Sequence, residues 1–142
     1  MSQNYCESLR DLREKVFNLQ MSVAYLDKKM RCRNVVWKGI KDEDESYEVL
    51  VAKVLDVINN RLKLKWRKED IEDVYRIGRK GTFDRPILMS IASLRMKFLL
   101  MSSKMKLRGT KIFINQDLPY NYRMKIRKQM EEKYFKRNLC KL

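Results

Sequence analysis

The chain has few residues suited to covalent chemistry and many suited to holding an anion. Its 142 residues include no histidine, 33 lysines and arginines and 18 aspartates and glutamates, for a net charge of +15. Without histidine the commonest general base is missing, and no glycine-rich phosphate loop is present. Cys6, Cys32 and Cys140 stand far apart. They form no CxxC pair for zinc, and no histidine is available to activate a thiol. Odd in number and scattered, they suit a reducing compartment without a disulfide framework. Residues 42–45 are a run of four consecutive acids. A magnesium ion is one use for it. The simpler use is a helix start, where Ser46 offers an N-cap and negative charge meets the helix dipole. The sequence predicts no catalysis, no metal, no cofactor and no small-molecule substrate. What remains is electrostatic capture of a polyanion, which is more often nucleic acid than an anionic membrane.

The cations are not spread evenly. Residues 61–118 carry a net +9 and residues 119–142 a net +6, whereas residues 1–31 carry +2 and residues 32–60 carry −2. A polyanion would therefore be met by the later strands and the last helix. With only 4 glycines and 2 prolines, little of the chain is available for irregular loops. The apolar run Arg85-Pro-Ile-Leu-Met-Ser-Ile-Ala92 reads as a buried central strand. Around it lie three more strands: Val35-Val-Trp-Lys-Gly-Ile40, residues 70–80, and Lys111-Ile-Phe-Ile-Asn115. Helices are expected over residues 46–62, burying Val51, Val54, Leu55 and Ile58, and over residues 93–107. On the second of these Leu94, Phe98, Met101 and Met105 share one face. Residues 62–66 alternate and fit either a short extra strand or an arm leading into strand two. The order strand, helix, strand, strand, helix, strand makes one α+β unit with a four-stranded sheet.

Alternation along the strands separates core from solvent. With Val35, Trp37, Ile77, Ile87, Met89, Ile91, Ile112 and Ile114 inward, the outer face carries Lys38, Arg76, Lys111, Phe113 and Asn115, along with Val36, Leu88 and Ser90. Arg79, Lys80 and Arg85 flank the strands, and Arg123, Arg127 and Lys128 stand on the final helix. That helix is set off by Asp117-Leu-Pro119 and carries a stripe of Tyr122, Ile126, Met130 and Tyr134. These cations, with Phe113 as a base-stacking platform, are the candidate nucleic-acid contacts.

Residues 1–31 carry a seven-residue repeat. Leu9, Val16, Val23 and Met30 fill one seam position and Tyr5, Leu12, Leu19 and Leu26 the other. A narrow stripe of period 3.5 without glycine or proline fits a coiled coil, whereas a helix folded back on its own domain shows a wider stripe of period 3.6. Val at a with Leu at d favours two strands. The seam covers about four heptads with few flanking charge pairs, so self-association through residues 5–30 is expected to be weak. No run of 18 apolar residues occurs, so no membrane-spanning helix is expected. The first 30 residues lack the apolar core of a secretory signal.

Four motifs then match a family in order and spacing: Asn34-Val-Val-Trp-Lys-Gly-Ile40, Val74-Tyr-Arg-Ile-Gly-Arg79, Arg85-Pro-Ile-Leu-Met-Ser-Ile91 and Gly109-Thr-Lys-Ile-Phe-Ile-Asn-Gln-Asp-Leu118. Over about residues 32–138 the chain resembles the RNA-binding protein of the first open reading frame of LINE-type (non-LTR) retrotransposons, most of all its insect-type members. The resemblance implies three parts. These are a coiled-coil oligomerisation helix over residues 1–31, an RRM-like βαββαβ sandwich over residues 32–118, and a basic helical tail over residues 119–142 that stands for a truncated carboxy-terminal domain. It also implies homo-oligomers (dimers or trimers), nucleic-acid chaperone activity and packaging of the element's own transcript. The partner would be single-stranded RNA, with single-stranded DNA as an alternative ligand, held in a cytoplasmic ribonucleoprotein that could also enter the nucleus. The family's strand-two arginine corresponds to Arg76, and the Arg-Pro start of its third strand to Arg85 and Pro86. Because the chain ends at Leu142, a truncated copy or a host protein derived from an element is expected. Strand three has none of the aromatics on which ordinary RRMs stack bases, so contacts would fall mostly on phosphate, with low sequence preference. The competing reading is an adaptor that binds protein through the same fold.

Overall fold

The structure is a computed structural model that describes residues 2–81 and 83–139. Its elements in order are α1 (Ser2–Arg31), β1 (Asn34–Lys38), α2 (Tyr47–Asp56), β2 (Ile71–Arg76), β3 (Ile87–Ile91), α3 (Leu94–Ser102), β4 (Phe113–Gln116) and α4 (Tyr120–Leu139). The chain divides into two units, one of residues Cys32–Asp117 and one that holds α1 and α4.

In the first unit the four strands form one antiparallel sheet in the order β2-β3-β1-β4. The central strands β1 and β3 turn Val35, Trp37, Ile87, Met89 and Ile91 fully inward. Onto them pack Leu50, Val51, Val54, Val57 and Ile58 from the α2 segment, and Leu100 and Leu107 from the α3 segment. Burial of this order, about 25 cal/mol per Å² of apolar surface, is what drives the unit to fold. Gly39 lies at the end of β1 with φ +90°, and a Cβ there would stand 1.8 Å from the carbonyl oxygen of Lys111. Only glycine lets β1 leave the sheet this close to the approach of β4.

Several local expectations are corrected by packing. Residue 46 does precede α2, but the Ser46 side chain makes no cap; its backbone carbonyl accepts from Leu50 N–H at 2.9 Å. Leu50, at the edge of the expected stripe, is buried. The helix does not run evenly to Leu62 but widens into a π turn over Val57–Arg61. Residues 62–66 form no strand. Asn59 grips this arm in both directions, accepting from Trp66 N–H at 2.8 Å and donating to Trp66 O at 3.1 Å. Trp66 caps the core.

The largest correction concerns α3. Of the expected stripe, Leu94, Phe98 and Met105 are exposed and Met101 packs partly buried against the core, whereas Lys97 and Leu100 are buried. Only two residues separate β3 from α3, so the strand fixes the phase of the helix, and the apolar stripe cannot rotate inward. Lys97 takes the core position with its aliphatic stem, and its Nζ donates to Cys32 O. Burial pushes this ammonium below its ordinary value, against the opposing fields of Cys32 and Asp117. After Ser102 the helix tightens to a 3-10 turn, Lys104–Leu107.

In the second unit α1 is a 30-residue helix, close to 45 Å long at about 1.5 Å per residue. Every seam side chain, Tyr5, Leu9, Leu12, Val16, Leu19, Val23, Leu26 and Met30, is exposed. The start of α4 meets the later part of α1, where Lys28 Nζ lies 5.1 Å from the centroid of the Tyr122 ring. The rest of the α4 stripe, Ile126, Met130 and Tyr134, is exposed. No helix among the described residues is long and apolar enough to cross a membrane. Cys6 and Cys32 are free thiols, and Cys140 lies outside the described residues.

Candidate nucleic-acid interface

Both helices of the sheet unit pack on one face, so the other face is open within that unit. Strand register places its side chains. Tyr75, Leu88, Val36 and Asn115 form one row across all four strands, since Tyr75 pairs with Leu88, Leu88 with Val36, and Val36 with Asn115. In the next row Lys38 is paired with Phe113. On the other side Asn34 ties the sheet together, donating to Asp117 Oδ2 at 3.1 Å and accepting from Ser90 Oγ at 2.8 Å.

Lys38, Lys111 and Phe113 are brought together at the β1–β4 edge, and all three are exposed; Phe113 is 62% accessible. Arg76 is not on this face. A bulge in β2 between Ile71 and Asp73 resets the alternation, so Val74 points inward, Tyr75 outward and Arg76 back to the core side, while Ile77 is exposed rather than inward. Ile71 and Val74, two apolar residues three apart, are the signal that could have shown this, because a flat strand cannot bury both. Tyr75, 47% accessible, is thus a second aromatic on the open face that the alternation reading missed. It stands about 16 Å from Phe113, given three strand spacings of about 4.8 Å and a two-residue step along the strand.

The Arg76 side chain is only 6% accessible and is fully engaged. Its Nη2 contacts Glu45 Oε1 at 2.7 Å and donates to Lys41 O at 2.6 Å. Its Nη1 donates to Ile40 O at 2.8 Å and to Arg85 O at 2.6 Å. Arg85, also read as a ligand contact, pairs with Asp42 through Nε at 2.5 Å. Lys53 reaches Glu43 at 3.2 Å and Glu45 at 3.5 Å. Lys80 meets Asp44 at 2.6 Å, in an exposed pair worth little. The acidic loop is therefore the counter-charge for Arg76 and Arg85, a pairing across 31 and 43 residues of sequence. Among the described residues no cluster of acids and thiols could hold a metal ion.

The loop carboxylates record this engagement. Burial works to raise Glu45, but the hydrogen bonds from Arg76 and from backbone N–H groups outweigh it and bring its pKa down to about 2. The Arg85 hydrogen bond, followed by the Asp44 N–H, holds Asp42 well below the usual carboxylate range. Both groups ionise more readily folded than unfolded, so between the two pKa values the unfolded chain binds more protons and stability rises with pH. Thermal midpoints are expected to be level above pH about 4.5, the ordinary Glu value, and to fall steadily towards pH about 2. Melting followed by circular dichroism would check this. In Glu45→Gln the slope should flatten, and a wild-type midpoint unchanged down to pH about 2.5 would refute the assignment.

Arg79 makes no ion pair among the described residues. On α4, Arg127 faces Glu131 at 3.8 Å in an exposed pair, Arg123 lies 5.9 Å from the Tyr120 ring centroid, and Lys128 is exposed. No protein-family model matches the chain, and no curated protein is similar to it.

Proposed function

We propose that this protein binds single-stranded RNA with little sequence preference and packages it as a self-associating particle, in the manner of the first-frame proteins of LINE-type retrotransposons. The observation that carries this reading is a sheet face left open by its own helices, with aromatics at both edges and, beside Phe113, two cations that make no ion pair among the described residues, in a chain of net charge +15. The strand order and one-sided helices suit the split βαβ arrangement on which RNA-recognition motifs are built. Tyr75 and Phe113 would stack bases, and Leu88 and Val36 would support the nucleotides between them. Lys38 and Lys111, and separately Arg123, Arg127 and Lys128 on α4, would neutralise phosphate. Arg76 and Arg85 would support the scaffold rather than touch the ligand. Without aromatics on the central strands, selection among bases would be low. The particle would be cytoplasmic.

The exposed apolar residues of α3, Leu94, Phe98 and Leu99, favour a second reading, a protein-binding adaptor. Fluorescence anisotropy separates the two, using labelled single-stranded RNA at three salt concentrations with duplex RNA and single-stranded DNA as competitors. With six phosphate contacts at a slope of about 0.7 each, binding is expected to weaken a few hundredfold between about 50 and 200 mM salt, with single strands preferred. No binding at about 100 mM salt would refute the RNA reading and leave the adaptor.

A further inference from the structure

Beside β4 the chain forms a concavity at the end of the row of residues described above, sharing Asn115 with it. The 3-10 turn Lys104–Leu107 and the loop through Gly109 fold back against the strand, enclosing about 450 Å³ lined by Lys104, Arg108, Gly109, Phe113 and Asn115. Such a volume is in the range of clefts that hold small organic molecules. Thr110 braces the wall, donating from Oγ1 to Leu107 O at 2.6 Å and accepting from Ile112 N–H at 3.3 Å. Gly109 turns the chain at φ +83°, and nothing lies within 4 Å of where its Cβ would be.

The chemistry of the lining is specific in kind. One side is the exposed Phe113 ring. The exposed Lys104 and Arg108, which make no ion pair among the described residues, share the lining with it, and Asn115 supplies an amide. A flat apolar ring suits an aromatic heterocycle. Two unpaired cations suit a phosphate. An amide can bond a base edge or a ribose hydroxyl. An acidic peptide would use the cations and leave the ring without a partner.

We propose that this concavity is a nucleotide subsite, which takes one base of a bound single strand on Phe113 and its phosphate on Lys104 and Arg108. The strand leaves it past Lys38, the cross-strand neighbour of Phe113. This rests on the RNA-binding reading and adds a place to it. Sequence alternation alone pointed to Phe113 but gave no reason to single out Lys104 or Arg108.

The test uses the full chain, labelled single-stranded RNA of 12 nucleotides and an abasic counterpart, with anisotropy across a salt series. Phe113→Leu is expected to weaken RNA binding about tenfold with the salt slope unchanged, and to leave binding of the abasic strand as in wild type. Lys104→Gln with Arg108→Gln is expected to lower the slope by about 1.4, two contacts' worth. All three side chains are exposed, so thermal midpoints should hold and serve as the folding control. If wild type binds RNA and both variants reproduce its curves, the subsite is refuted while the RNA-binding reading stands. A Phe113→Leu loss that is equal on the abasic strand would refute base stacking. Failure of wild type to bind would overturn both.

Discussion

Leu12→Glu with Leu19→Glu is expected to make the protein monomeric and to weaken its binding to single-stranded RNA about a hundredfold. The eight seam residues of α1 all stay exposed along a helix of 30 residues, although Pro119 and Tyr122 at the start of α4 lie beside the later ones. Leu12 and Leu19 are successive d positions, where knobs enter the holes of a partner helix. A carboxylate placed there would have to be desolvated in the seam, which costs more than a short, weak coil can return. Joining copies turns later contacts on one RNA into intramolecular events, which raises apparent affinity by about 10² to 10⁴ without new contacts. Sedimentation equilibrium reports the state, and anisotropy the affinity. A double variant that stays oligomeric would show that α1 is not the interface. A monomer with undiminished affinity would show that avidity plays no part.

Arg76→Ala is expected to destabilise the sheet unit by about 3 kcal/mol, the lower end for breaking a buried pair. The guanidinium serves Glu45 and three backbone carbonyls, and Glu45 has a side chain only 3% accessible. Removing it leaves that carboxylate without its main partner. For a unit of this size the midpoint should drop by roughly 12 °C or more. Arg76→Lys should recover only part, because an ammonium cannot fill four acceptor positions from one plane. Lys38→Ala should move stability by less than about 0.5 kcal/mol and act on RNA affinity instead. Calorimetry and anisotropy on the two variants separate scaffold from contact. Should Arg76→Ala melt like wild type while losing RNA affinity, the structural role would be wrong and the ligand role right.

The sequence by itself determined the α+β class, the order of the elements and most of the core. Period-two alternation in β1, β3 and β4 is local and uninterrupted, so Val35, Trp37, Ile87, Met89, Ile91 and Ile114 could be placed inward from their neighbours alone. The same reasoning put Lys38, Lys111 and Phe113 on the outer face, and charge counting placed the cationic excess late in the chain; their meeting at one edge came from the strand order. Tertiary structure decided the rest. The bulge in β2 forms because a neighbouring strand sets the register, and it moved Arg76 inward and Tyr75 outward. The destination of the acidic loop depended on arginines 31 and 43 residues away, a distance over which no local periodicity carries information. The face that α3 buries was fixed by the short link from β3 rather than by its own stripe. Lys97 could occupy a core position because its stem is apolar and its charge found Cys32 O. Lys104 and Arg108 line one concavity with Phe113 because the chain turns at Gly109, φ +83°, and brings their turn back beside β4.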